Sequence, residues 1–125
     1  MTRRREIVSM YNDAFRNIEY IKTPVEPKTR MTTWHLYVVQ IDFEKIGKSR
    51  FLVMNELMGK GVGTQVHYIP VHLQPYYKNR FGYKEGDYPI AEQYYGRALS
   101  LPLYPKMTNE EVLTVINSVK SCLNK

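Results

Sequence analysis

The side chains in this sequence best suited to bind a metal or act as a nucleophile are His35, His67, His72 and Cys122, since imidazole and thiolate are common ligands and reacting groups. Two of them stand in one unusual stretch, Gln65-Val66-His67-Tyr68-Ile69-Pro70-Val71-His72-Leu73-Gln74-Pro75-Tyr76-Tyr77, which sets two imidazoles and three phenols in a segment too polar for plain core. The spacing does not suit a metal. His67 and His72 are five apart across Pro70, there is no cysteine pair, and no acid stands nearby to complete a ligand set. Cys122 lies on an apolar helical stripe and reads as a small buried hydrophobe. No serine occupies a nucleophile-elbow context and paired carboxylates are not evident. Gly59-Lys60-Gly61-Val62-Gly63 follows a helix and does not open one, so it offers no helix N-terminus to a phosphate. The residues therefore predict neither a catalytic centre nor a metal site.

Composition narrows the class. A chain of 125 residues predicts one domain, 1–125, large enough to bury a core without metal or disulfide staples. The single cysteine excludes an internal disulfide. No apolar run reaches the length of a bilayer span and the N-terminus lacks the apolar centre of a signal peptide, which predicts a cytoplasmic protein with no membrane partner. The formal charge of +6 favours anionic partners in general. Only Arg3-Arg4-Arg5 forms a run, so nucleic acid is not the expected partner. Eight of the eleven tyrosines follow residue 67, where rings with polar tips suit a half-wet groove or interface.

The elements that must position this stretch are legible in part. Ile7, Met10, Tyr11, Ala14, Phe15 and Ile18 predict an amphipathic helix from 3 to about 20. Its first turn holds three arginines where acids are preferred, which leaves two readings open: a helix that begins upstream, the chain being part of a longer one, or a frayed end. Pro24 and Pro27 make 23–29 a connector, and residues 34–42 form a β-branched and aromatic central strand. Ser49 caps a helix over 50–58 with an apolar face of Phe51, Leu52, Met54, Leu57 and Met58, closed by Gly59 and Gly61. A strand over 64–68 follows. Residues 69–88 are irregular apart from a possible helical turn over 74–80; Asp87 caps a helix with Pro89 in its first turn and Ala91, Tyr94, Tyr95 and Ala98 on one face. Residues 100–105 are extended, and the capping box Thr108–Glu111 opens a final helix with Val112, Val115, Ile116, Val119 and Leu123 on its inner face. The sum is an α+β domain carrying an aromatic, histidine-bearing loop.

Four segments in their order and spacing are more specific than any one alone: Trp34-His35-Leu36-Tyr37, Val66-His67-Tyr68-Ile69-Pro70-Val71-His72, Gly86-Asp87-Tyr88-Pro89-Ile90-Ala91-Glu92, and Leu99-Ser100-Leu101-Pro102-Leu103-Tyr104-Pro105. Together they resemble the C-terminal domain of the DegT/DnrJ/EryC1/StrS family of pyridoxal-phosphate sugar aminotransferases, most nearly the branch that aminates C4 of a UDP-linked 4-keto-6-deoxy-N-acetylhexosamine in pseudaminic acid synthesis. The resemblance implies the small domain of a fold-type I aminotransferase, a short antiparallel sheet packed against helices. Residues 1–20 would be the helix joining large and small domains and 34–125 the small domain itself. It also implies that the Schiff-base lysine and most cofactor contacts belong to a large N-terminal domain, so pyridoxal phosphate serves the complete homodimeric enzyme and is not expected on this chain alone. What carries over is substrate contact, at Gln65, Val66, His67 and Tyr68, with His35 on the neighbouring strand. The alternative is a free-standing, non-catalytic module that binds a nucleotide-sugar or nucleic acid in the same groove.

Overall fold

The computed structural model describes residues 2–124 and shows the expected α+β arrangement of helices around a small antiparallel sheet. Helix α1 (Thr2–Phe15) buries Ile7, Val8, Tyr11 and Phe15, residues that recur every three or four positions and so share one face. It stops five residues short of the expected end; Ile18 instead packs its half-buried side chain against the core from the turn that follows. Whether the helix begins upstream of Thr2 lies outside the described residues. Two of the three misplaced first-turn arginines, Arg3 and Arg5, have tertiary partners. Arg3 donates to the Met107 carbonyl at 2.7 Å and to Asn109 Oδ1 at 2.8 Å, just before and at the start of the last helix. Arg5 forks onto both oxygens of Glu26, which also accepts the Thr32 amide, and so ties the proline connector to α1.

The sheet has the order β1-β2-β3, with β1 (Ile21–Lys22), β2 (Tyr37–Ile41) and β3 (Ala98–Leu101) all antiparallel. Tyr37, Val39 and Ile41 point into the core at period two, opposite Leu101, Leu99 and Ile21. Strand β2 is three residues shorter at its start than its composition suggested, because Trp34 takes a positive φ of 53° and turns the chain before the ladder begins. Beyond β2, Asp42 caps the single turn α2 (Phe43–Ile46). Helix α3 (Arg50–Gly59) is capped by Ser49 as expected, yet the face it buries is Val53 and Leu57, while Phe51, Leu52 and Met58 point outward.

The final helix α6 (Asn109–Leu123) carries the capping box in full, Thr108 accepting from the Glu111 amide and Glu111 accepting from the Thr108 amide. It packs on α1 and α3 and buries all five predicted residues together with Cys122. Burial pushes the Cys122 thiol up, which suits a core residue and not a nucleophile.

The Arg5–Glu26 latch makes acid sensitivity predictable. Arg5 holds the Glu26 carboxyl down to about 2, so its contribution is complete above the ordinary glutamate value near 4.5 and is lost as pH falls toward 2. Glu26→Gln should flatten the stability-against-pH curve across that window and leave it unchanged near neutrality in shape. Thermal melts of the two proteins from pH 7 to pH 2 check this; parallel curves would refute it.

Candidate functional site

From Val62 onward the chain crosses the sheet edge and builds a lobe over 68–97. The expected strand at 64–68 is reduced to one bridge, in which Gln65 and Ser100 exchange two backbone hydrogen bonds of 3.2 and 2.8 Å. Pairing stops there, and the following His67–Tyr68 peptide is cis. The remainder of the lobe is a helical turn at Val71–Leu73, helix α4 (Pro75–Phe81) closed by Gly82 in the left-handed conformation, and helix α5 (Pro89–Arg97). The possible turn at 74–80 is thus a real helix. Asp87 is not the cap of α5: its carboxylate accepts the Lys84 amide and closes its own turn, leaving Tyr88 at the cap position without a side-chain bond. Ala91 and Tyr94 are exposed, because α5 offers them to a groove and not to the core.

One polar pair, a buried imidazole and a half-buried carboxylate, holds the lobe. His72, 7% exposed, places Nε2 3.2 Å from Glu92 on α5. The same carboxylate accepts the amides of Gly86 at 2.8 Å and Tyr88 at 3.0 Å. The Gly86 amide above all, with Tyr88 and His72 beside it, holds the Glu92 carboxyl below the usual carboxylate range. Tyr88 and Tyr83 meet the His72 ring edge-on, with centroids 4.8 and 6.4 Å away. At the far end, Arg50 of α3 donates to the Tyr95 and Ala98 carbonyls and lies 4.7 Å over the Tyr95 ring, which satisfies the C-terminus of α5 and fixes it to the body.

Two open grooves flank this pin and share Pro70, Tyr88 and Ala91. One, of about 480 Å³, is walled by Val71, His72, Tyr77, Phe81 and Tyr83. The other, of about 680 Å³, is walled by His67, Tyr68, Asp87, Tyr88, Pro89, Ile90 and Tyr94. The second combines apolar rings, phenol groups, one imidazole and one carboxylate, with no lysine or arginine in its walls. His67 is half-buried and its Nδ1 lies 2.8 Å from the Ser100 hydroxyl; Tyr68 is 74% exposed and meets the His67 ring edge-on at 4.7 Å.

Of the five contact residues expected from the sequence, His67 and Tyr68 come together in this groove. Gln65 and Val66 lead into it, Gln65 being held by its backbone. His35 is exposed on the segment before β2 and lines neither groove. Ser100, Asp87, Ile90 and Tyr94 are not among those five, Asp87 and Tyr94 reading from the sequence only as parts of a helix. The signal for Ser100 was a lone hydroxyl in the apolar run Leu99-Ser100-Leu101.

Comparison with known proteins supplies the context. The model of the DegT/DnrJ/EryC1/StrS aminotransferase family matches residues 1–120. The spore coat polysaccharide biosynthesis protein SpsC of Bacillus subtilis is 46% identical over 119 residues, 94% of this chain and 31% of that protein. Among solved structures, DesV of S. venezuelae, seen with a ketimine intermediate, superposes with a TM-score of 0.87 at 29% identity over 99% of this chain and 32% of that one. PseC of Helicobacter pylori, an aminotransferase of pseudaminic acid biosynthesis, gives 0.86 at 24% identity over 98% and 32%, a likeness of fold alone. The pseudaminic acid branch is thus one of several similar ones and is not singled out. Structures of one sugar aminotransferase in its PLP and PMP forms are also similar. The chain spans about a third of the length of the curated relatives it matches.

A pyridoxal phosphate Schiff base needs a lysine. Neither groove is lined by a lysine; Lys45, Lys48 and Lys60 point instead to Glu19, to Glu56 with the Cys122 carbonyl, and to Ser121. No step is assigned to the cofactor on this chain. Among the described residues no helix is long and apolar enough to cross a membrane.

Proposed function

This chain belongs to the DegT/DnrJ/EryC1/StrS aminotransferase family, and we propose that it forms the sugar-facing wall of a nucleotide-sugar aminotransferase. In this reading residues 34–125 are the small domain and 1–20 the joining helix. The complete cytoplasmic enzyme is a homodimer whose large domain holds pyridoxal phosphate and its lysine. Its substrate is a UDP-linked keto-sugar, the 4-keto-6-deoxy-N-acetylhexosamine of the pseudaminic acid branch being one candidate.

The observation that carries the reading is the groove between His67, Tyr68 and Tyr94. Ring faces take the apolar face of a sugar, while His67, Asp87 and the phenols meet its hydroxyls. The groove walls contain no cationic side chain to answer a diphosphate, so it is the sugar end that sits here, with Gln65 and Val66 acting through their backbone. His35 is an outer contact at most.

Titration of the chain with UDP-N-acetylglucosamine and with UDP alone, read by backbone amide shifts, tests this. The sugar nucleotide should bind weakly, move the amides of Gln65–Tyr68 and bind more tightly than UDP. His67→Ala should weaken it by about 5- to 10-fold, the worth of one good hydrogen bond. Equal binding of UDP, or no effect of His67→Ala, would contradict the assignment.

A further inference from the structure

The contact between His67 and Ser100 decides how the imidazole can be used. Ser100 is 5% exposed, and its backbone is already committed, its N–H and carbonyl both bonded to Gln65. Facing Val38 in the ladder, it lies on the side of the sheet away from Leu99 and Leu101. Its hydroxyl is 2.8 Å from His67 Nδ1 and has no other hydrogen-bond partner among the described residues.

Two proton arrangements are conceivable for a neutral imidazole. If Nδ1 carried the proton and donated to Ser100 Oγ, the serine O–H would be left without an acceptor in a buried position, which is costly. If the serine O–H donates to Nδ1, every group in the pair is satisfied and the imidazole proton must sit on Nε2. We propose that Ser100 is a positioning residue that fixes His67 as the Nε2–H tautomer, so that the groove is offered a hydrogen-bond donor for a sugar hydroxyl or carbonyl oxygen. This rests on the sugar-site reading for its use, though not for its geometry. The second ring nitrogen is consumed by the sheet, so His67 cannot act through Nδ1 on a ligand. The assignment gives the buried hydroxyl of β3 a role that packing alone does not require, since alanine would fill an apolar sheet position equally well.

Nitrogen-15 spectra of the histidine side chains in mildly alkaline buffer read the tautomer directly, with amide spectra of each variant reporting the fold. In the unaltered chain His67 should show a protonated Nε2 and a bare, hydrogen-bonded Nδ1. Ser100→Ala keeps both backbone bonds to Gln65 and should give a mixture of tautomers, while Ser100→Thr, which retains the hydroxyl, should restore the single form. UDP-N-acetylglucosamine should bind about 5-fold more weakly to Ser100→Ala and normally to Ser100→Thr. A protonated Nδ1 in the unaltered chain, or a tautomer unmoved by Ser100→Ala, overturns the assignment. If the tautomers behave as expected but sugar-nucleotide binding is the same in all three proteins, the positioning role stands and the sugar-site reading fails.

Discussion

Replacing Tyr11 with alanine should lower the stability of the chain by about 3–5 kcal/mol. Tyr11 is fully buried at the junction of helix and sheet, 4.9 Å from the Tyr37 ring and 6.0 Å from that of Phe15. Its hydroxyl donates to the Pro102 carbonyl at 2.7 Å, just past the end of β3, and Tyr37 makes the corresponding bond to Asn12 at 2.7 Å. Burial pushes the Tyr11 phenol up, so it stays a donor at any ordinary pH. The ring and the hydroxyl can be separated. Tyr11→Phe keeps the packing but leaves the Pro102 carbonyl without its partner, which should cost about 1–3 kcal/mol. Urea midpoints at unchanged m-value measure both losses. A loss below about 1 kcal/mol for Tyr11→Ala would mean that α1 is not part of the core on which the sheet is built.

That core was the most readable part of the sequence, because its helices bury one stripe each and periodicity reports stripes. All five inner residues predicted for α6 are buried, and its capping box is complete. What periodicity cannot see is pairing. Strand β3 is only Ala98-Leu99-Ser100-Leu101, buried on both faces and enclosed between a helix and Pro102, so no alternation marked it beyond an extended segment. The segment 64–68 has strand-forming residues but finds only Ser100 as a partner, and propensity without a partner leaves a single bridge. The apolar face of α3 misled for a related reason. Val53 and Leu57 are four apart and suffice to seal the core, whereas Phe51, Leu52 and Met58 add hydrophobicity without facing it.

The site divides along the same line. His67 and Tyr68 were recognisable by type and by resemblance, but their companions Asp87, Ile90 and Tyr94 come from a segment that reads as loop and helix start some twenty residues later. Nothing in local spacing joins the two segments. They are joined by Glu92, a residue that looks like an ordinary first-turn acid at the start of α5 and in fact gathers two amides and a buried imidazole. The groove therefore depends on a polar pin in a lobe whose only described buried side chain is His72, while the sheet that carries Ser100 depends on an apolar core.

His72→Ala tests whether these are separate units. The change removes a ring packed edge-on by Tyr83 and Tyr88 and strips Glu92 of its side-chain partner, so the lobe should lose about 2–3 kcal/mol of local stability. The sheet makes no hydrogen bond to this pair and should keep its own stability. Native-state hydrogen exchange separates the two: the Gly86 and Tyr88 amides, which donate to Glu92, should exchange about 30- to 150-fold faster, the converted worth of that loss. The Val39 and Leu99 amides should change little. UDP-N-acetylglucosamine binding should weaken with the lobe, because Tyr88, Pro89 and Ile90 shift out of the groove when the N-terminal end of α5 loosens, while Arg50 holds its far end and His67 stays on Ser100. Equal acceleration at sheet and lobe amides would show one cooperative unit. It would also mean that the groove is held by the core itself, and the His72–Glu92 pair would then be no more than a contributor to global stability.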